Sequence, residues 1–333
     1  MKIVSIFNNK GGVGKTTNLY QIAHILVKSF EKTVLLVDLD SQCNLSSYTL
    51  SNSKLEESWN TATGNSIWNI ISPVFRGTGD IKSNILPTMV SQKYRNLYIT
   101  PGNISLSDFE DVLGESWTRA IGGDERSIRV QTAFYRYILS AADAIHADIV
   151  MLDLGPNLGS INRCALVASD YFIIPMAPDL FSIKGTENLG EKLVKWAREW
   201  RQGSSFTQNI DLASPSASPR FLGYITQQYN LRKRSPSGMT RGWSQYRDII
   251  PQSIMENIVR KLSEIESVDR DRDWLLGQIP NLNSLIPYSQ RARKPIFDCT
   301  RRDGLRGSHI TSAKNTRRIF EPIAEKISAI LSN

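Results

Sequence analysis

The chain has 333 residues, 41% of them apolar, with 40 lysines and arginines against 32 acids and a formal net charge of +8. That is enough for one large core or two ordinary ones, and no run approaches the roughly 18 apolar residues of a membrane span. Three cysteines, Cys43, Cys164 and Cys299, are odd in number and far apart, which suggests neither a disulfide framework nor a Cys-x-x-Cys metal site, and the expected compartment is a reducing cytoplasm.

Ile3, Val4, Ile6 and Phe7 predict an opening strand from Lys2, which leaves no room for a signal peptide or an N-terminal DNA-binding module. Asn8-Asn9-Lys10-Gly11-Gly12-Val13-Gly14-Lys15-Thr16-Thr17 follows, and Leu19, Ile22, Ala23, Leu26 and Val27 then recur at helical spacing. Strand, glycine-rich loop and helix are the context of a phosphate-binding loop. The glycines let backbone N–H groups close around an anion, and the helix start adds positive partial charge. Lys15 can reach the β- and γ-phosphates, and Thr16 can offer a hydroxyl to Mg2+. A chance glycine-rich turn is the alternative, and the eight-residue match in its required context argues against it. Asn9 stands where the common pattern has a glycine, and a second lysine, Lys10, is beside it.

This Lys-Gly-Gly-Val-Gly-Lys-Thr-Thr string is the deviant Walker A motif, and in it the chain resembles the ParA/MinD family of ATPases. The resemblance implies ATP held by Lys10, Gly11, Gly12, Val13, Gly14, Lys15, Thr16 and Thr17. Lys10 would reach across a dimer to the partner's nucleotide, and catalysis would rest on Lys10, Lys15 and Asp40.

Thr33 to Asp38 is a continuous apolar run ending in an acid, as suits a buried parallel strand. The following Asp38-Leu39-Asp40-Ser41-Gln42-Cys43-Asn44 resembles the family's first switch, Asp-x-Asp-Pro-Gln-Gly-Asn. Asp40 would then orient the attacking water near Mg2+; capping a helix is its alternative role. Ser41 replaces proline and Cys43 replaces glycine. Serine stiffens a loop less, and cysteine disfavours positive φ.

Residues 45–145 are the least readable stretch, and 46–130 within it is an expected family-variable insertion in a single domain over 1–333. Ser51 to Val90 reads as polar and turn-rich, and Glu110 to Ser127 carries Gly114, Gly122 and Gly123. Between them Leu97 to Thr100 predicts a strand. Val130, Phe134, Ile138 and Ala141 predict a helix whose aromatic stripe is core. Asp148 to Asp153 is a second apolar run ending in an acid, where a Mg2+-linked carboxylate belongs; a turn acid without a metal role is the alternative. Leu154-Gly155-Pro156-Asn157 resembles the family's second switch, with Gly155 in place of its first proline.

Further strands are predicted over 171–175, 221–226 and 274–280. A helix carries Leu189, Leu193, Trp196, Ala197 and Trp200 on one face, and an exposed Ser/Pro/Gly-rich loop spans 202–219. By resemblance Pro280 and Asn281 lie on the adenine side. Ile319, Phe320, Ile323, Ile327, Ile330 and Leu331 stripe a last helix. A MinD-like membrane anchor there would need basic residues, and 327–333 has none.

Positive charge is clustered. Arg232, Lys233, Arg234, Arg241 and Arg247 fall in a stretch without acids, and residues 286–318 hold nine basic residues, including Arg291, Arg293 and Lys294, against two acids. The rest of the chain is therefore net acidic. Such clustering suits a polyanion, with plain solvated loops the alternative.

About seven strands leading into helices predict an α/β, doubly wound, mainly parallel sheet. With ATP and Mg2+, the resemblance implies a homodimer that binds DNA without sequence preference on the nucleoid. A ParB-like protein would stimulate its hydrolysis, and it would position plasmid, chromosome or other cargo without a membrane. Alternatives are a MinD-like or cargo-specific ATPase acting on membrane or protein, and a degenerate nucleotide-binding scaffold. An iron–sulfur reductase is disfavoured, because no cysteine lies beside the second switch where a cluster would need it.

Overall fold

The computed structural model describes residues 1–207, 211–229, 246 and 249–332. The strip of Arg232, Lys233, Arg234, Arg241 and Arg247 lies outside these residues. In chain order the strands are β1 (Lys2–Ile6), β2 (Val34–Asp38), β3 (Thr88–Ser91), β4 (Tyr94–Thr100), β5 (Ile149–Asp153), β6 (Tyr171–Met176), β7 (Arg220–Tyr229) and β8 (Leu275–Pro280). They form one sheet in the order β3-β4-β2-β5-β1-β6-β7-β8. All pairings are parallel except β3 with β4, a short bulged hairpin at one edge. Because β5 returns between β1 and β2, the carboxyl ends of these three strands stand side by side. That end is where ligands of such sheets bind.

The central strands are apolar throughout because both faces are covered. Ile3, Leu35, Val37, Val150 and Leu152 face one core, while Val4, Ile6, Val34, Leu36, Ile149 and Met151 face the other. The second core is roofed by α1 (Lys15–Phe30) and the long C-terminal helix, Ser308–Ser332. Phe320, Ile323, Ile327 and Leu331 of that helix are buried there, so its apolar stripe packs on the sheet. Lys326 Nζ donates to the carbonyl of Leu275 on the β8 edge, 2.8 Å. No helix among the described residues is long and apolar enough to cross a membrane.

The stretch 46–130 differs most from what its sequence predicts. After α2 (Asn44–Thr49), where Ser51 to Val90 reads as turns, the chain forms α3 (Asn52–Trp59) and α4 (Ile67–Arg76), then β3. The glycine-bearing segment forms α5 (Leu106–Ile121) and α6 (Glu125–Gln131), followed by α7 (Ala133–Ala144). Ile67, Ile70, Ile71, Leu106, Phe109, Leu113 and Phe134 join the first core. Pro73 inside α4 and Gly114 inside α5 mask the helical pattern. At Gly114 the neighbour is close, since a Cβ would stand 3.3 Å from Ser160 Oγ. Beyond β5 come α8 (Ser160–Ala168) and α9 (Leu180–Ser204), whose Leu189, Leu193, Trp196, Ala197 and Trp200 are all buried as their spacing predicts. A helical stretch, α10 (Ile249–Ile254), continues through a π turn into α11 (Arg260–Leu262), and α12 (Leu285–Ala292) follows β8. The C-terminal helix is α13.

Candidate functional site

The loop of residues 8–17 closes on its own lysine. Lys15 opens α1 and is buried, and its Nζ donates to the carbonyls of Asn8 and Lys10, each at 3.1 Å. Gly12 and Gly14 take φ of 74° and 71°, which residues with a Cβ adopt only with strain. Gly14 is also crowded: a Cβ would stand 2.4 Å from Oε1 of Gln227 at the end of β7. Burial lowers the Lys15 pKa, while the charges of Asp153 and Asp40 oppose that shift.

Three carboxylates gather beside this lysine. Asp38 and Asp153 are register partners at the ends of β2 and β5, and both are fully buried. Thr16 Oγ1 donates to Asp153 Oδ2 at 2.7 Å, and Asp153 Oδ1 has no partner. Asp38 Oδ2 accepts from the N–H and the hydroxyl of Ser46, at 2.8 and 2.6 Å. Burial pushes the Asp38 carboxyl up to about 7, with the Asp40 charge acting in the same direction. Burial also raises Asp153, and the charge of Asp38 adds to it.

Asp40 does not cap a helix. Its Oδ1 accepts from the N–H of Gln42, 3.0 Å, within the loop. The N-cap of α2 is Cys43, whose φ of 54° is the left-handed conformation that glycine adopts freely. Burial and the charges of Asp38 and Asp40 push the Cys43 thiol up to about 12. Across the loop, Gly155 lies against Asp40, where a Cβ would be 3.4 Å from Oδ1.

The phosphate loop and both switch loops face a cavity of about 220 Å3 lined by Gly14, Lys15, Thr16, Asp40 and Pro156 among others. Among the described residues no group of three or more His, Cys, Asp or Glu side chains is arranged to hold a metal ion. That donor set suits Mg2+ better than a protein-caged ion, because Mg2+ keeps several waters and takes phosphate oxygens with one or two carboxylates. The unpartnered oxygen of Asp153 beside the Thr16 hydroxyl is the observation that makes room for it.

Lys10 is partly exposed and forms an ion pair with Asp179. Asp179 caps α9, its other oxygen accepting from the N–H of Ser182 at 2.9 Å. Sequence reasoning singles out neither Asp179 nor Asp38 as a site residue. An acid closing an apolar strand signals Asp38, but nothing local ties Asp179 to a lysine so distant in sequence. Gln227 is a third omission. It is buried, its Oε1 accepts from Asn18 Nδ2 at 3.1 Å, and its Nε2 has no partner. Pro280 ends β8, and the side chain of Asn281 accepts from the N–H of Asn283, 3.0 Å. Neither has a hydrogen bond to the phosphate loop.

The basic loop is partly used up locally. Arg293 donates to the carbonyl of Leu50 and to Asn52 Oδ1, Lys294 pairs with Asp303 at 2.7 Å, and the Arg291 guanidinium lies 5.2 Å from the Tyr288 ring centre. Arg291 nevertheless stays exposed, as do Arg301, Arg302, Arg306, Lys314 and Arg318 nearby.

A family model described as an AAA domain matches residues 1–203. A virulence plasmid ParA family protein of Chlamydia psittaci is 29% identical over 193 residues, covering 57% of this chain and 62% of that relative, so the match spans under two thirds of its length. A crystal structure of a Corynebacterium diphtheriae protein superposes with a TM-score of 0.69 at 26% identity, covering 88% of this chain and 97% of that one. A putative plasmid partition protein from Borrelia burgdorferi B31, bound to AMPPNP, shares the fold with a TM-score of 0.56 at 20% identity over 98% of both chains.

Proposed function

From the premise that this chain belongs to the AAA-domain family and is a P-loop ATPase of the ParA/MinD type, we propose that it is a positioning ATPase whose two copies close on ATP and part on hydrolysis. The observation that carries this reading is the meeting of Lys15, Thr16, Asp40 and Asp153 at three adjacent strand ends. The backbone of residues 10–17 and Lys15 would cradle the triphosphate, as a helix start and a buried cation favour. Thr16 and Asp153, with Asp40 close by, would hold Mg2+, which neutralises charge developing on the phosphates. Asp40 would orient the attacking water. Phosphoryl transfer asks little else of the protein than such placement.

Lys10 would serve the second copy. In the single chain it rests on Asp179, and closing the dimer would exchange that carboxylate for the partner's phosphates. Lys10→Ala should retain ATP binding and lose ATP-dependent dimerisation, read by light scattering after gel filtration with and without ATP. A variant that still dimerises with ATP would count against the scheme.

For the cargo side we favour DNA. Arg301, Arg302, Arg306, Lys314 and Arg318, with the basic residues of 232–247, supply phosphate contacts, and two copies double their number. Reversing Arg301 and Arg302 to glutamate should weaken binding to random duplex and flatten its salt dependence by about two in log–log slope. Absence of binding with ATP at low salt would instead favour a protein or membrane target. A ParB-like protein is the proposed stimulator of hydrolysis, and turnover measured with and without DNA and such a partner tests it.

A further inference from the structure

Within the stretch 46–130 one acid holds the start of the helix that follows the second switch. Glu110, on α5, accepts through Oε1 from the N–H of Ser160 and through Oε2 from the N–H of Ile161, the latter at 3.0 Å. These are the first two residues of α8, whose own N-cap is Gly159, without a side chain to cap it. A Cβ added at Gly159 would stand 2.1 Å from Glu110 Oε1. Gly159 has φ of −83°, so alanine there meets no backbone strain; it meets this carboxylate and, at 3.0 Å, Asn157 Oδ1.

From α8 the contact continues to the switch itself. Asn162 Nδ2 donates to the carbonyls of Gly155 and Asn157, at 3.0 and 2.6 Å. Gly155 in turn borders the Asp40 carboxylate, whose Oδ1 would be 3.4 Å from a Cβ at this position. Glu110, Asp40, Gln42, Pro156 and Asn157 share the walls of a cavity of about 260 Å3. A second fastening holds the same two helices together: Arg163 donates to the Leu113 carbonyl at 2.9 Å, and its guanidinium lies 4.1 Å from the Trp117 ring centre.

We propose that Glu110 is a positioning residue for hydrolysis: by holding the start of α8 it fixes, through Asn162 and Gly155, where Asp40 stands. The proposal rests on the proposed role of Asp40 in orienting the attacking water. Glu110 touches neither the triphosphate cradle nor Lys15, so it acts on the turnover step and not on nucleotide binding. A negative charge at a helix start is also favourable to the helix, so a merely structural role has to be separated from positioning.

The test measures steady-state ATP hydrolysis and, separately, affinity for a fluorescent ATP analogue, in Glu110→Ala, Glu110→Gln, Gly159→Ala and the Glu110→Ala/Gly159→Ala double variant. Glu110→Ala should lower kcat about tenfold with affinity within about twofold, and Glu110→Gln, which keeps one acceptor, about threefold. Gly159→Ala should lower kcat at least as far as Glu110→Ala, since its Cβ pushes the carboxylate away and also presses on Asn157 Oδ1, and the double variant should be no worse than Gly159→Ala alone, because the Glu110 contact is already lost there. An unchanged kcat, a joint fall of kcat and affinity, or additive losses in the double variant would overturn the proposal. If Glu110→Ala fails to fold, Glu110→Gln and Gly159→Ala test the same contact without it. An unsubstituted chain without hydrolysis, or hydrolysis that survives Asp40→Ala, would overturn the role of Asp40 and this inference with it; normal turnover in the Glu110 variants overturns the inference alone.

Discussion

Three buried aspartates and one half-buried aspartate sit in this molecule in opposite company. At the strand ends Asp38, Asp40 and Asp153 crowd together, with burial and mutual charge raising Asp38 and Asp153. On the turn after α12, Asp298 meets Lys28 at 2.8 Å, Lys93 at 2.7 Å and the hydroxyl of Tyr94. Burial pushes its carboxyl up, but these three donors outweigh that and hold it down near 2. The same residue type is thus stabilised in one place and left in like-charged company in the other. A fold that can supply cations to an acid, yet gathers acids around one lysine and leaves an oxygen of Asp153 bare, has the arrangement that the proposed Mg2+ site would need.

The comparison breaks most visibly at Asp40. Asp40→Ala should cut ATP hydrolysis about 100-fold or more while leaving ATP-analogue binding within a few-fold, as expected where an acid acts only in the transition state. Asp298→Ala should destabilise the chain by about 1–3 kcal/mol in denaturant unfolding, discounted because Lys28 and Lys93 are partly exposed. Its pH dependence has a definite sign. The folded value is depressed, so the contribution is fully present above the unfolded value near 4 and fades as pH falls towards 2. Asp298→Asn should lack that part of the acid limb.

Asp153→Asn should do the reverse of Asp298→Ala. Removing a buried, like-charged acid should raise the stability of the nucleotide-free chain by about 1–2 kcal/mol at neutral pH while it abolishes hydrolysis. A fall in stability would show that the strand-end acids are as well compensated as Asp298. The smallest effect belongs to Cys43→Gly. Relief of a left-handed residue offsets the extra freedom of the unfolded chain, for a net gain of about 1 kcal/mol or less in thermal unfolding.

How much of this is legible in the chain depends on sequence distance. The phosphate loop, Asp40 and Asp153 are readable because each is a short string closing an apolar strand, and the strands' position follows from their apolar runs. The conformation of Cys43 is foreseeable from the glycine it replaces. The helices of 51–76 are not, because polar residues dominate α3 and Pro73 interrupts the pattern of α4. Nor are the contacts that join distant segments: Lys10 with Asp179, Glu110 with the start of α8, Gln227 with Gly14. Each depends on which strands become neighbours, which no local periodicity encodes. Arg293 and Lys294 show the same limit from the other side, since a cluster of charge in sequence does not reveal that both are tied to nearby oxygens.

The margins of the sheet bear on how copies can meet. On one side the four-residue β3 runs antiparallel with a register shift, and on the other α13 covers β8 and Lys326 takes up the Leu275 carbonyl. A short edge strand with a register shift is a poor template for another chain, and a lysine already occupying an edge carbonyl interferes with strand addition at the other border.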